Sequence, residues 1–156
     1  MEHHFSLFPD DIFPVENAVT NKGSIEARAV NRLFSGRRRF ATTLEELRDN
    51  YECDESACLG FMEPEAFAFF LSSFMKLAAC EYDASNNIPD SVVHTLHRIA
   101  AGDADDWLDA ILATYSTEQL DVIVEFLEEM SRVKWHRHDP DLAAETAILL
   151  RKRFRR

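Results

Sequence analysis

The chain has 156 residues, of which 46% are hydrophobic, and a formal net charge of −11. A single domain of roughly 150 residues buries about 70% of the surface its unfolded chain exposes, so this length needs no disulfide or metal staple. The acidic balance disfavours a nucleic-acid-binding body and favours a basic protein partner.

The three cysteines, Cys53, Cys58 and Cys80, are an odd number, which suits a reducing cytoplasm. The N-terminus has no basic stretch leading into an apolar run and a small-residue cleavage site, so no secretion signal is expected.

Residues 1–23 read as an irregular arm that packs its aromatics on the body: Phe5, Leu7, Phe8, Ile12 and Phe13 are apolar, Pro9 and Pro14 break any long helix, and Asn21-Lys22-Gly23 reads as a turn. His3 and His4 form an adjacent pair that suits nickel or, more simply, solvent. From residue 24 onward the pattern predicts one all-α domain. Ser24 is placed to cap a helix to about Phe34, with Ile25, Ala29, Val30 and Leu33 on one face and Gly36 beyond its end. Arg37-Arg38-Arg39 follows, suited either to a phosphate or to the negative end of that helix dipole.

Thr43-Leu-Glu-Glu46 has capping-box spacing and predicts a short helix to about Tyr51. Cys53 and Cys58 are too widely spaced for a usual zinc knuckle, and no second pair accompanies them. Residues 64–82 predict the central helix of the fold. Pro64 suits its first turn, and Phe67, Phe70, Leu71, Phe74, Leu77 and Ala78 recur at helical spacing. Glu65, Ser72, Ser73 and Lys76 leave a narrow polar stripe, and Cys80 reads as an ordinary buried thiol. The run is shorter than the roughly 20 residues of a membrane span and contains Lys76, so no membrane association is expected.

Asp90 is placed to cap a helix to about Ala100, stopped by Gly102, with Val92, Val93, Leu96 and Ile99 as its apolar side. Residues 104–115 predict a short helix that turns Trp107, Leu108, Ile111 and Leu112 inward. Ser116-Thr-Glu-Gln119 is a second capping box, opening a helix whose stripe is Leu120, Ile123, Val124, Leu127 and Met130. Asp139-Pro140 starts the last helix, with Leu142, Thr146, Leu149 and Leu150 on one side. No stretch alternates strictly, so the expected architecture is a single-domain bundle of six or seven helices around the 64–82 helix.

Charge is uneven along this order. Residues 151–156 carry five positive charges, whereas no Lys or Arg lies between Ile99 and Ser131. That stretch holds Asp103, Asp105, Asp106, Asp109, Asp121, Glu125 and Glu128, the candidate partner-binding residues. The basic tail suits a nucleic acid, an anionic membrane or the protein's own acidic face. His94 and His97, three apart on one helix, and His136 and His138 are the candidates for a metal or enzymatic site. With no nucleophile or paired acid beside them in sequence, the histidines are expected to point to water, and no cofactor is expected.

Three segments carry a resemblance: Phe61-Met-Glu-Pro-Glu-Ala-Phe-Ala-Phe-Phe-Leu, Tyr115-Ser-Thr-Glu-Gln-Leu-Asp-Val-Ile-Val-Glu-Phe-Leu, and Leu33-Phe-Ser-Gly36. Over about 100 residues the chain resembles an uncharacterised bacterial family of small acidic helical proteins. Met62-Glu63 stands where that family has a leucine-threonine pair, which removes a hydroxyl cap from the central helix. The resemblance implies the fold class and a bacterial cytoplasmic setting, and brings no catalytic residues.

These features favour a non-enzymatic binding protein, most concretely an immunity protein that neutralises a basic toxin such as a nuclease. The alternatives are an adaptor that uses its tail on one partner and its acidic body on another, or a histidine-carboxylate metal protein or enzyme. The sequence leaves homo-oligomerisation open, and an exposed part of the Phe-rich helix would favour it.

Overall fold

A computed structural model describes residues 2–134 and 137–155 of the chain, without the side chains of Glu2 and His3. His136 and Arg156, which belong to the candidates above, and Trp135 lie outside the described residues, as does the His3 side chain. Among the described residues there are eight α-helices and no strand, the all-α architecture that the periodicities predict. They are α1 (Ile25–Phe34), α2 (Leu44–Asn50), α3 (Cys58–Phe61), α4 (Pro64–Cys80), α5 (Ile88–Ala101), α6 (Asp105–Thr114), α7 (Thr117–Met130) and α8 (Pro140–Phe154). The one-turn helix α3 follows a 3-10 turn at Glu55–Ala57, and a longer 3-10 segment spans Glu2–Leu7.

Helix starts follow local chemistry. Ser24 accepts the Ala27 amide, Asp139 accepts from Asp141 and Leu142, and Ser116 with Gln119 forms a complete capping box. Two starts differ from expectation. Thr43 caps α2 through the Glu46 amide, but the Glu46 carboxylate pairs with Arg37 instead of returning to the cap. Helix α5 begins two residues before Asp90, at Ile88 with Pro89 in its first turn, and Asp90 faces His94 one turn on. Proline needs no N–H partner there, so the helix starts without a side-chain cap.

Helix α4 is the centre, packed against α5, α6, α7 and the N-terminal 3-10 segment. Phe67, Phe70 and Phe74 have no exposed surface and Phe69 is half-buried. Phe70 meets the rings of Phe13, Phe34 and Phe69 at centroid distances of 5.5, 4.9 and 4.8 Å, and Phe67 stacks on Trp107 at 4.6 Å. Offset and edge contacts of this kind add to the area they bury.

The expected polar stripe of α4 is largely internal. Ser72 and Ser73 are buried, because Arg39 lies against them and Ser73 donates to the Arg39 carbonyl. Cys80, expected to be buried, is exposed at the last turn, where α4 has passed the core, and the buried thiol is Cys58. Leu112 is likewise 38% exposed, with Leu108 and Ile111 taking the inward positions of α6.

The N-terminal segment reaches the core through Phe5, Phe8 and Phe13, all at most 3% exposed. It is tied along its length to the loop after α1. Phe13 N–H donates to the Arg37 carbonyl at 2.8 Å, Arg39 N–H to Asp11 at 2.9 Å, and Phe40 N–H to the Asp10 carboxylate at 3.0 Å. Farther on, Glu63 N–H donates to the Val19 carbonyl at 2.8 Å, which sets residues 16–21 beside the start of α4.

Candidate functional site

The acid-rich stretch does not present one continuous face. Arg151 and Arg153, two apart on α8, point about 200° apart around the helix. Arg151 meets Glu128 of α7 at 2.6 Å, while Arg153 meets Asp105 of α6 and donates to the Ala100 carbonyl at 3.2 Å. The end of α8 therefore reaches the carboxylates of α6 on one side and those at the end of α7 on the other, and two arginines of the basic tail are bound to the protein's own acids. Glu125 is also engaged, by His4 at 2.6 Å. Asp103, Asp106, Asp109 and Asp121 remain exposed, without an ion-pair partner among the described residues.

Asp105 and Asp106 diverge by about 100°, so Asp106 shares the side of α6 that carries Ala110 one turn later. Ala110 forms one wall of a cleft of about 530 Å³. Its other walls are residues 16–18 and Asn21 of the N-terminal segment and Glu63, Pro64 and Glu65 at the start of α4. Glu63 accepts the Asn21 amide at 3.1 Å and Glu65 accepts the Asn17 side-chain amide at 2.7 Å, so both carboxyl groups are held in place by uncharged donors. Neither caps α4 through its side chain. Glu16 is exposed on the opposite wall.

Sequence order conceals this cleft, because its three carboxylates come from positions 16, 63 and 65, outside the acid-rich stretch. The only local signal is the missing hydroxyl cap at Met62-Glu63. With no capping side chain there, the Val19–Glu63 contact fixes where the cleft forms.

The histidines do not converge. His94 faces Asp90 at 3.5 Å, and His97 Nδ1 lies 3.2 Å from the Thr146 hydroxyl. His138, expected to point to water, is 2% exposed. Its Nε2 is 2.9 Å from the Met130 carbonyl, which requires Nε2–H as donor, so Nδ1 accepts from the Tyr82 hydroxyl at 2.9 Å. The Tyr82 oxygen in turn accepts the Arg137 N–H at 2.9 Å. This buried relay ties the loop before α8 to the end of α7. Among the described residues, no group of three or more His, Cys, Asp or Glu side chains is arranged to hold a metal ion.

The arginine run is structural. Arg37 pairs with Glu46, and burial holds its guanidinium below the usual arginine pKa. Arg38 donates to the Asp10 carbonyl at 3.0 Å. Arg39 is 4% exposed, donates to the Pro9 and Phe69 carbonyls at 2.8 and 2.9 Å, and lies 4.2 Å from the Phe69 ring centroid.

Two other buried groups are held protonated. Burial pushes the Cys58 thiol up to about 12, and Tyr115, whose hydroxyl donates to the Ala68 carbonyl, also up to about 12. A thiol so far from ionising is a poor nucleophile at neutral pH.

Residues 19–147 match the family of unknown function DUF6714, and the chain belongs to that family. No curated protein and no solved structure matches it.

Proposed function

We propose that this member of the family is a non-enzymatic protein-binding protein, most concretely a bacterial immunity protein that neutralises a basic toxin, such as a nuclease, in the cytoplasm. The observation that carries the reading is the cleft at the start of α4, where Glu16, Glu63 and Glu65 line about 530 Å³ beside α6. Asp106 and Asp109 extend its negative field along the outer side of α6, and Asp103 and Asp121 are further exposed carboxylates. Asp105, Glu125 and Glu128 are less suited to a partner because internal cations already face them.

A Lys or Arg side chain of the partner would enter between carboxylates that hydrogen bonds already hold in position, so little is lost in ordering them. Opposite potentials speed encounter and select the register. Inhibition would follow because these carboxylates occupy the cationic groove where the toxin holds phosphate. The adaptor reading has less support, since Arg151 and Arg153 are bound within the molecule.

Affinity capture from the host lysate at low and then moderate salt tests the proposal, comparing the native chain with the triple variant Glu16→Lys, Asp106→Lys, Asp109→Lys. One basic protein retained in near-equal amount by the native chain and lost by the variant is the expected result. Retention of the same protein by both chains, with protection unchanged, would refute the cleft as the binding site.

A further inference from the structure

Two exposed arginines, Arg28 and Arg32, stand four apart on the outer face of α1, and Arg32 borders two clefts. One, of about 310 Å³, is lined by Thr20, Lys22, Ala27, Arg28, Asn31 and Arg32, with no carboxylate in its wall. The other, of about 300 Å³, lies toward α2 and contains Arg32, Arg37 and the Glu46 that neutralises Arg37.

The cations of the first cleft are positioned mainly by backbone carbonyls, and the carboxylate that acts on them from α1 is Glu26, which feels the Arg28 charge. Arg28 donates to the Gly23 carbonyl at 2.7 Å, and Lys22 donates to the Gly60 carbonyl at 3.0 Å with its ammonium 5.7 Å from the Phe61 ring centroid. Carbonyls hold these groups in place without cancelling charge, while Glu26 offsets part of the Arg28 charge and leaves Lys22 and Arg32 without a carboxylate partner. Lys22 keeps two N–H donors, Arg28 keeps a free guanidinium edge, and Arg32 has no ion-pair or hydrogen-bond partner among the described residues. The Thr20 hydroxyl accepts the Lys22 amide at 3.2 Å and so has its own proton to give.

We propose that this cleft binds the phosphoryl group of a small phosphorylated compound. Guanidinium forks match phosphate oxygens bidentately, and the lysine ammonium adds a point charge. The net charge of −11 repels an extended polyanion, whereas a compact one is drawn in by the local cations within about a Debye length of 8–10 Å. The site is separate from the acidic cleft and takes a ligand of opposite charge.

Inorganic pyrophosphate titrated into the isotope-labelled full chain, against chloride at matched ionic strength, provides the test by amide shifts. Saturable shifts centred on residues 20–32 are expected, with the dissociation constant rising by about tenfold or more in the exposed double variant Arg28→Gln, Arg32→Gln. Arg32→Lys, which keeps the charge and loses the fork, is expected to fall between them, and it stands in for the double variant if that fails to fold. Shifts that do not saturate, shifts centred elsewhere, or an Arg32→Lys chain that binds as tightly as the native one would overturn the proposal. No basic partner is involved, so this outcome is independent of the capture experiment.

Discussion

Two basic segments lie at helix ends in this chain, and their arginines reach opposite environments. Arg39, after α1, turns inward, whereas Arg151, in the last turn of α8, lies on the surface and Arg153 beside it is half-buried. Arg39 is 4% exposed and its guanidinium serves backbone carbonyls of the N-terminal segment and of α4. The side chains of Arg151 and Arg153 are 50% and 23% exposed and meet the carboxylates of Glu128 and Asp105. The difference lies in what each neighbourhood leaves unsatisfied. Between the buried Phe8 and Phe13 the N-terminal segment runs mostly without secondary structure, so the Pro9 carbonyl has no helical partner and takes its donor from the buried Arg39 guanidinium. The end of α8 meets carboxylates that water reaches and, through Arg153, the Ala100 carbonyl.

That contrast is testable by loss. Arg39→Ala removes donors from buried carbonyls and opens space against Phe69, so it is expected to cost about 3 kcal/mol in urea unfolding, with little dependence on salt. A cost no greater than that of the surface arginines would break the comparison.

Alkaline pH probes the same buried region by another route. Tyr115 and Cys58 have folded values raised to about 12 from ordinary values of 10.0 and 9.0, so the unfolded chain loses these protons first. Their contribution is full below about pH 9 and is lost as pH rises toward 12, and the melting temperature is expected to fall through that window. Tyr115→Phe should flatten the fall, as measured by thermal unfolding at stepped pH. An unchanged slope in that variant would show that Tyr115 does not stay protonated for the reason given.

The smallest effect is expected at the tail. Replacing Arg151 and Arg153 together by alanine should cost about 1 kcal/mol or less at low ionic strength, and the difference should shrink toward zero in about 0.5 M salt. A larger, salt-independent loss would mean that the Arg153 contact with the Ala100 carbonyl outweighs both ion pairs.

Much of the helical layout was legible in the sequence because its causes are local. Ser24, Ser116 with Gln119, and Asp139 each satisfy amides within three residues, and the apolar spacing of α4 and α7 marks their inward faces. The candidate site was legible only in part. Asp106, Asp109 and Asp121 stand exposed within the acid-rich stretch, but Glu16, Glu63 and Glu65 carried no such mark, since nothing near Glu16 in the chain shows that it faces α4.

The sequence by itself determined the all-α class, the helix starts that have capping side chains and the existence of a large aromatic core. The tertiary structure alone decided which polar groups are buried, which charges cancel and where a cleft opens. Glu46 leaves its cap for Arg37, Ser72 and Ser73 turn to Arg39, and His138 closes on Met130 and Tyr82. A cap or a helical stripe is set by bonds and spacing within one or two turns. The fate of a charge or a hydroxyl depends on which distant carbonyl or carboxylate the packing brings within about 3 Å, and no local pattern encodes that.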